Sequence, residues 1–105
     1  MKHYNVIITN KAYDDMDGIY TYIAETLLEP VVAANTYDKI ADAILSLDIM
    51  PDRIKIMDSE PAQSQGLRPL LVGNYTVLYV VHGDTVFIVR VIYSSSDIST
   101  RLTEE

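Results

Sequence analysis

The sequence predicts one α+β domain with the element order β-α-α-β-β-β, in which a helical hairpin packs on a small antiparallel sheet. Two stretches, residues 12–27 and 33–47, repeat apolar residues every three or four positions, as one face of an α-helix does. Three β-rich runs then follow within residues 67–93, and short turns separate them, which is typical of antiparallel neighbours. The length of 105 residues suits a single domain that covers residues 1–105.

The individual elements follow from local signals. Alternating apolar residues predict a first strand over residues 4–9, and Thr9 or Asn10 can cap the helix that follows. Pro30 is well placed in the first turn of the second helix, and Pro51 ends the helical pattern. An exposed loop is expected over residues 57–66. The later strands are predicted at 67–72, 75–81 and 85–93, and a short terminal helix at 98–102.

This order of elements predicts how the layers are arranged. The helices should cover one face of the sheet and leave the other face partly open. We therefore expect the functional surface on the open face.

The charge balance restricts the classes of partner. With 15 acidic and 8 basic residues, the chain has a net charge of −7, which opposes direct binding to nucleic acid and suits a basic or amphipathic protein partner. A net charge of −7 is explained equally well by the need of the protein to stay soluble. The chain has no cysteine, and nothing else in it indicates a metal or an organic cofactor. No apolar run approaches the roughly 18 residues of a membrane span, so we expect a cytoplasmic protein.

Three arginines are candidates for a charged site. Arg68 opens the second strand, Arg90 lies in the last strand and Arg101 in the C-terminal tail. Several arginines on one sheet could form a local anion site. The alternative, which the spacing favours, is that Arg68 and Arg90 pair with acids such as Asp97 or Glu60.

The aromatic and histidine residues give weaker signals. Tyr75 and Tyr79 have the same strand parity and so point to one face, where they could stack on bases or, more commonly, pack in a core. His3 lies near the terminus and His82 in a predicted turn, so we do not expect either to be catalytic or metal-bound.

Several short motifs, in this order and spacing, resemble the RelE/ParE family of bacterial toxins from type II toxin–antitoxin systems, and most closely its ParE-like members. The resemblance covers nearly the whole chain. The motifs that carry it are Tyr4–Thr9, Ile19–Ala24, Lys39–Leu47, Gly66–Arg68, Val72–Tyr75, Ile88–Tyr93 and Asp97.

The resemblance implies a toxin of a plasmid-stabilisation type, which a cognate antitoxin neutralises and which acts on DNA gyrase by binding. It also implies the surface involved. Arg68 and Arg90 would supply charge, Tyr93 an aromatic tip that forms hydrogen bonds, and Asp97 an orienting carboxylate. Tyr75 and Arg101 would complete this target- or partner-binding surface.

Two alternatives stay open. A RelE-like enzyme would cut messenger RNA on the ribosome, with Arg68 and Arg90 as its candidate catalytic residues. Relatives often carry bases at the positions of Thr76 and Val80, so this sequence departs from the pattern that such chemistry needs. The other alternative is a non-toxic, toxin-derived protein that keeps antitoxin binding. A homodimer through the open sheet or the hairpin face is compatible with all three.

Overall fold

The structure is a computed structural model that describes residues 1–96 and 98–103. It contains four strands, four α-helices and short 3₁₀ and π-helical turns within this part of the chain. The strands are β1 (Asn5–Ile8), β2 (Arg68–Val72), β3 (Tyr75–His82) and β4 (Thr85–Tyr93). The helices are α1 (Asn10–Thr21), α2 (Pro30–Leu45), α3 (Ala62–Gln65) and α4 (Ile98–Thr103).

The strands form one sheet in the order β1-β4-β3-β2. The pairs β2–β3 and β3–β4 are antiparallel, as their short turns predict, whereas β1 lies parallel to β4 with Ile8 opposite Ile88. Turn signals report only on strands that follow each other along the chain. The parallel pairing of β1 therefore has no local signal, because the whole helical hairpin separates it from the other strands.

The two long helices begin as the sequence predicts. Thr9 is the N-cap of α1, and its hydroxyl accepts a hydrogen bond from the backbone N–H of Ala12 at 3.2 Å. The same hydroxyl donates to the carbonyl of Ile88 at 2.8 Å, which ties the helix start to β4. Pro30 opens α2. Within residues 1–96 and 98–103, none of the helices has the length and apolarity needed to cross a membrane.

A short π-helical turn, Tyr22–Thr26, extends α1 towards the tip of the hairpin. The N–H of Leu27 donates to the carbonyl of Tyr22 at 3.0 Å, five residues earlier. Single π-turns of this kind are rare and occur often at functional sites.

The main core lies between the helical hairpin and one face of the sheet. Tyr79 and Ile44 are both fully buried there. The other buried members are Ala12, Met16, Ile40, Leu47, Val77, Val86, Ile88 and Val91.

The opposite face of the sheet is covered at its centre, and the expected partly open face remains only at the two edge strands, where Ile7 and Leu71 are 46% and 71% exposed. Leu78 lies next to Val77 and Tyr79 on β3 and so points to this second face, where it packs with Ala62, Leu67 and Ile92. The cover comes from α3 and α4, since Ile98 and Leu102 pack on this cluster. The segment 57–66, expected as an exposed loop, thus contains a helix whose Ala62 is buried.

The segment after α2 is held to the sheet by two polar side chains. The Tyr79 hydroxyl donates to the carbonyl of Pro51 at 2.5 Å inside the core. The Arg68 guanidinium donates to the carbonyl of Ile54 at 2.5 Å and to that of Asp52 at 3.4 Å. Both side chains therefore satisfy backbone acceptors that would otherwise lose hydrogen bonds near the core.

Candidate functional site

An open groove of about 840 Å³ lies between the C-terminal half of α1, the π-turn and the ends of β3 and β4. It combines exposed aromatic rings with charged groups. Its lining residues are Asp14, Asp15, Gly18, Ile19, Tyr22, Ile23, Leu27, Asn74, Tyr75, Val91, Ile92, Tyr93, Ser96 and Arg101.

Three tyrosines face this groove. Tyr75 and Tyr93 lie directly opposite each other on β3 and β4, and their rings meet edge-to-face at 5.9 Å. Tyr22 and Tyr93 remain 55% and 51% exposed, although both are large side chains. Burial, and then the neighbouring Tyr93 and Tyr22, raise the pKa of Tyr75 above its usual value of 10.0. Tyr75 therefore presents a neutral ring and hydroxyl group to the groove at physiological pH.

Because the pKa of Tyr75 is raised, the free energy of unfolding should fall at alkaline pH. The folded state favours the neutral form of Tyr75, so the unfolded chain releases this proton at a lower pH than the folded chain does. The free energy of unfolding that Tyr75 contributes is therefore lost as the pH rises past 10.0. Burial raises the pKa of Tyr79 in the same direction. We expect Tyr75→Phe to reduce the loss of unfolding free energy between about pH 9 and about pH 11, measured by urea denaturation. The exposed Tyr13 gives the matched control, Tyr13→Phe, and an equal reduction in both variants would contradict the assignment.

Asp15, which lines the groove, forms an ion pair with Arg90. The guanidinium Nε donates to Oδ2 of the carboxylate at 2.7 Å and Nη2 donates to Oδ1 at 3.0 Å, a bidentate arrangement. Both side chains are almost fully buried, with 9% of Asp15 and 6% of Arg90 exposed. The remaining guanidinium nitrogen, Nη1, donates to the carbonyl of Arg101 at 2.7 Å. One arginine thus connects α1, β4 and α4.

The position of this pair follows from the geometry of the sheet edge. β1 ends at Ile8, opposite Ile88, and β4 continues beyond it. A bulge then places Val89 as an extra residue, since Leu78 pairs with Arg90 and the next residue of β3 pairs with Ile88. The N–H of Val91 points to the edge that β1 no longer covers, and it donates to Oδ2 of Asp15 at 3.0 Å. The carboxylate therefore replaces a strand partner for β4.

Gly18 and Asp14 leave the α1 side of the groove open. A Cβ atom at Gly18 would meet no atom within 4 Å, so the glycine contributes empty space rather than a close helix contact. Asp14 is exposed on the same helix, one turn earlier. These positions can accept larger or oppositely charged side chains without disturbing the core.

The groove continues into an apolar patch at the tip of the helical hairpin, which we call the hairpin tip: Leu27, Leu28, Val31 and Val32. Leu27 belongs to both surfaces, and its side chain is 51% exposed. Leu28 and Val31 are 77% and 70% exposed, and Val32 is 47% exposed. Leu28 also has a left-handed backbone, with φ of 57°, which is costly for a residue with a bulky side chain.

Relief of this backbone strain should stabilise the chain. We expect Leu28→Gly to raise the free energy of unfolding by about 0.5–1 kcal/mol, because glycine adopts positive φ without a Cβ clash and almost no apolar contact is lost. The matched control is Val31→Gly in the first turn of α2, which should lower stability by a similar amount. Urea denaturation would measure the free energy of unfolding of both variants. A lower value for Leu28→Gly than for the wild type would contradict the claim that the Leu28 backbone is strained.

Comparison with known proteins identifies the family. A model of the ParE toxin of type II toxin–antitoxin system, parDE, matches residues 6–98. The chain belongs to the ParE toxin family. No curated protein sequence is significantly similar to this ParE family member.

Solved structures with the same fold include two toxin–antitoxin systems. The chromosomal ParDE system from P. aeruginosa matches with a TM-score of 0.72 and 23% identity, covering 87% of this chain and 96% of that one. The toxin–antitoxin complex RelBE2 from Mycobacterium tuberculosis matches with a TM-score of 0.61 and 25% identity, covering 91% of this chain and 97% of that one. The predicted α+β fold and the resemblance to this toxin family are therefore confirmed.

The ParE fold brings together only part of the residue set that the sequence suggested. Tyr75, Tyr93 and Arg101 all line the groove, and their role in binding stays a prediction. Arg90 does not line the groove and is held in its buried ion pair with Asp15. Asp97 lies outside the described residues.

The two strand arginines do not form one anion site, and the acid that pairs with Arg90 among the described residues is one that the sequence did not suggest. Arg68 lies opposite Tyr79 and Arg90 opposite Leu78, two neighbours on β3 whose side chains point to different faces. Arg90 pairs with Asp15 on α1. Arg68 donates to backbone carbonyls instead.

Sequence reasoning missed the α1 side of the groove. Asp14 and Asp15 look like charges that stabilise a helix start, but α1 begins at Asn10 and its first turn contains no acid. The π-turn that places Tyr22 beside the β3–β4 tyrosines has no recognisable sequence pattern. The one available signal was Gly18, an isolated glycine inside a helical pattern, which often has a packing or functional reason.

Proposed function

We propose that this chain is a ParE toxin that acts by binding a protein target, DNA gyrase, and that a cognate antitoxin holds it inactive. The observation that carries the proposal is the groove, which joins partly exposed tyrosines to the apolar hairpin tip. Contiguous exposed apolar surface of this kind on a small domain is typical of protein–protein contacts. Membership of the ParE family supports the choice of gyrase and of an antitoxin partner.

The hydrogen bonds that Arg68 and Arg90 form within the fold favour binding to a protein target over RNA cleavage. A ribonuclease needs cationic groups that face the scissile phosphate. Arg90 is 5% exposed, and its guanidinium is bonded to Asp15 and to the Arg101 carbonyl. Arg68 is bonded to the carbonyls of Asp52 and Ile54. The two candidate catalytic residues thus hold the fold together.

Inhibition of gyrase in a purified system tests the proposed target. We expect the chain to inhibit supercoiling of relaxed plasmid by gyrase in a dose-dependent manner, and the antitoxin encoded beside it to reverse the inhibition. A parallel reaction with ribosome-bound messenger RNA should show no cleavage. Unimpeded supercoiling with cleavage of the message would replace this proposal with the RelE-like enzyme. No effect in either reaction, together with tight antitoxin binding, would replace it with the non-toxic binding protein.

Substitutions that weaken the inhibition of gyrase should lie in the groove. We expect Tyr93→Ala to weaken gyrase inhibition by about tenfold or more, because exposed aromatic side chains often dominate protein interfaces. The matched control is Tyr13→Ala, which removes a tyrosine that is 46% exposed on α1 and does not line the groove. Equal inhibition by both variants would place the gyrase contact elsewhere on the chain.

A further inference from the structure

We propose that the outer edge of β1 binds the same edge of a second copy of the chain, so that the two sheets join into one continuous sheet. The two β1 strands would run antiparallel, with Ile7 of each copy at the two-fold axis. The lining of the groove comes from other elements, so a dimer of this kind would leave both grooves open. The inference concerns a different surface from the proposed function and does not depend on the target.

The edge of β1 presents backbone groups that another strand can pair with. β1 is the outermost strand in the order β1-β4-β3-β2, so it has a neighbour on one side only. The N–H groups of Asn5 and Thr9 donate to carbonyls on the β4 side at 2.9 Å and 3.1 Å. Alternate residues of a parallel strand bond to the same neighbour, so the N–H and C=O groups of Val6 and Ile8 point away from β4.

The other edge of the sheet is protected against such pairing. The two-residue turn after β2 makes Val72 and Tyr75 a hydrogen-bonded pair, which leaves Leu71 and Pro69 facing outwards. Pro69 has no N–H group to offer on this edge. β1, with the sequence Asn-Val-Ile-Ile, contains neither a proline nor a charged residue, the two common devices that keep edge strands apart.

An apolar stripe reaches the edge at Ile7. Val6 and Ile8 pack on the main core, so Ile7 points to the opposite face of the sheet, where it is 46% exposed. Ile7 lies opposite Phe87 on β4, and Phe87 lies opposite Val80 on β3. Pairing of two β1 edges would join the stripes of both copies and bury apolar surface that one chain leaves in water.

The strand is complementary to itself in one register. If Val6 of each copy pairs with Ile8 of the other, both pairs exchange their N–H and C=O groups in hydrogen bonds. Ile7 then faces Ile7 of the second copy in the pair between them, where Cα atoms are about 4.5 Å apart and side chains approach most closely. Every outward-facing backbone group of Val6 and Ile8 thus finds a partner.

The charges around β1 permit a second copy, although the net charge of the chain is −7. Lys2 and Lys11 flank the strand, and Asp48 and Asp84 contact the residues at its start, so cations and acids are balanced there. Asp84 is paired with Lys2 at 2.9 Å, and His3 lies 3.5 Å from Asp48. Like charges across an interface oppose association, and this end of the sheet carries no excess of either sign.

Sedimentation equilibrium tests whether the dimer forms through β1. We expect the wild type to associate with a dissociation constant on the order of 10 μM, because a short strand pair forms only a small interface. Ile7→Lys should raise this constant by about 100-fold, since two lysines would meet at the axis. Leu71→Lys makes the same change in charge on the other edge strand, at a side chain that is 71% exposed, and should change it less than about twofold.

Mixing two variants separates repulsion from damage to the fold. Ile7→Lys and Ile7→Glu should each be monomeric alone, whereas an equal mixture should form heterodimers, because opposite charges then meet at the axis. Circular dichroism checks that each variant is folded.

Disulfide formation tests the register. The chain has no cysteine, so a single introduced cysteine can form a disulfide only between two copies. Ile7→Cys should give a disulfide-linked dimer on mild oxidation, because the two residues face each other. Asn5 is exposed on the same face of β1, but in this register it would lie about 13 Å along the strand from its counterpart, so Asn5→Cys should cross-link at least about tenfold more slowly.

Four outcomes would overturn the inference: a wild type that stays monomeric up to about 300 μM, a dimer that survives Ile7→Lys, an equal loss from Leu71→Lys, or equal cross-linking of the two cysteine variants. The first would leave the β1 edge to a strand of another protein. The other three would place the contact between copies on another surface or in another register. Gyrase inhibition by a chain that is monomeric at these concentrations would overturn this inference alone.

Discussion

Replacement of Arg90 by methionine is expected to lower the free energy of unfolding by about 3–5 kcal/mol. The substitution leaves the carboxylate of Asp15 buried without its guanidinium partner, since only 9% of this side chain is exposed. It also removes the donor to the Arg101 carbonyl, which ties α4 to β4. A domain of this size has about 5–15 kcal/mol of stability in total, so the loss would be a large share of it.

Urea denaturation of two further variants separates this effect from a general one. The double variant Asp15→Leu with Arg90→Met should recover part of the loss, because it removes both charges, although the Val91 N–H then lacks its acceptor. Lys2→Met breaks the ion pair with Asp84, in which the two side chains are 59% and 76% exposed, and should leave the free energy of unfolding nearly unchanged. A cost for Arg90→Met as small as that for Lys2→Met would contradict the buried pair.

Truncation of Tyr79 to alanine is expected to destabilise the chain by about 3–5 kcal/mol. The ring is fully buried in the main core, where the surrounding helices and strands can collapse only partly into the space it leaves. Its hydroxyl group also donates to the Pro51 carbonyl, which holds the segment after α2. The variant should therefore lose both packing and the attachment of this segment.

Tyr79→Phe measures the hydrogen bond without the packing. We expect a cost of about 1–3 kcal/mol, because the ring remains and only the donor to a buried carbonyl is lost. Thermal and urea denaturation should rank the variants as wild type, Tyr79→Phe and Tyr79→Ala in decreasing stability. A phenylalanine variant as stable as the wild type would show that the hydroxyl group contributes nothing to the fold.

Local signals were sufficient for most of the fold. The capping by Thr9, the start of α2 at Pro30 and the two antiparallel strand pairs depend on residues that are close along the chain. The parallel pairing of β1 with β4 and the second core under α3 and α4 depend on contacts between distant residues. Propensity and periodicity carry no direct information about such contacts.

The site was less predictable for the same physical reason. Tyr75 and Tyr93 were identified on the strands, but Tyr22 reaches them through a π-turn that no local pattern indicates. The role of Arg90 depends on a bulge and on where β1 ends, since together these bring Asp15 to the sheet edge. An arginine in a strand therefore looked like a charge for binding, whereas the three-dimensional arrangement assigns it to the interior.

Growth of a bacterial host after induction of this chain tests the central claim most directly. The account predicts growth arrest by the chain alone, relief when the antitoxin encoded beside it is coexpressed, and continued arrest by the control variant Tyr13→Ala. Normal growth of cells that contain soluble, folded protein would contradict a working toxin and would leave antitoxin binding as the remaining activity of this surface.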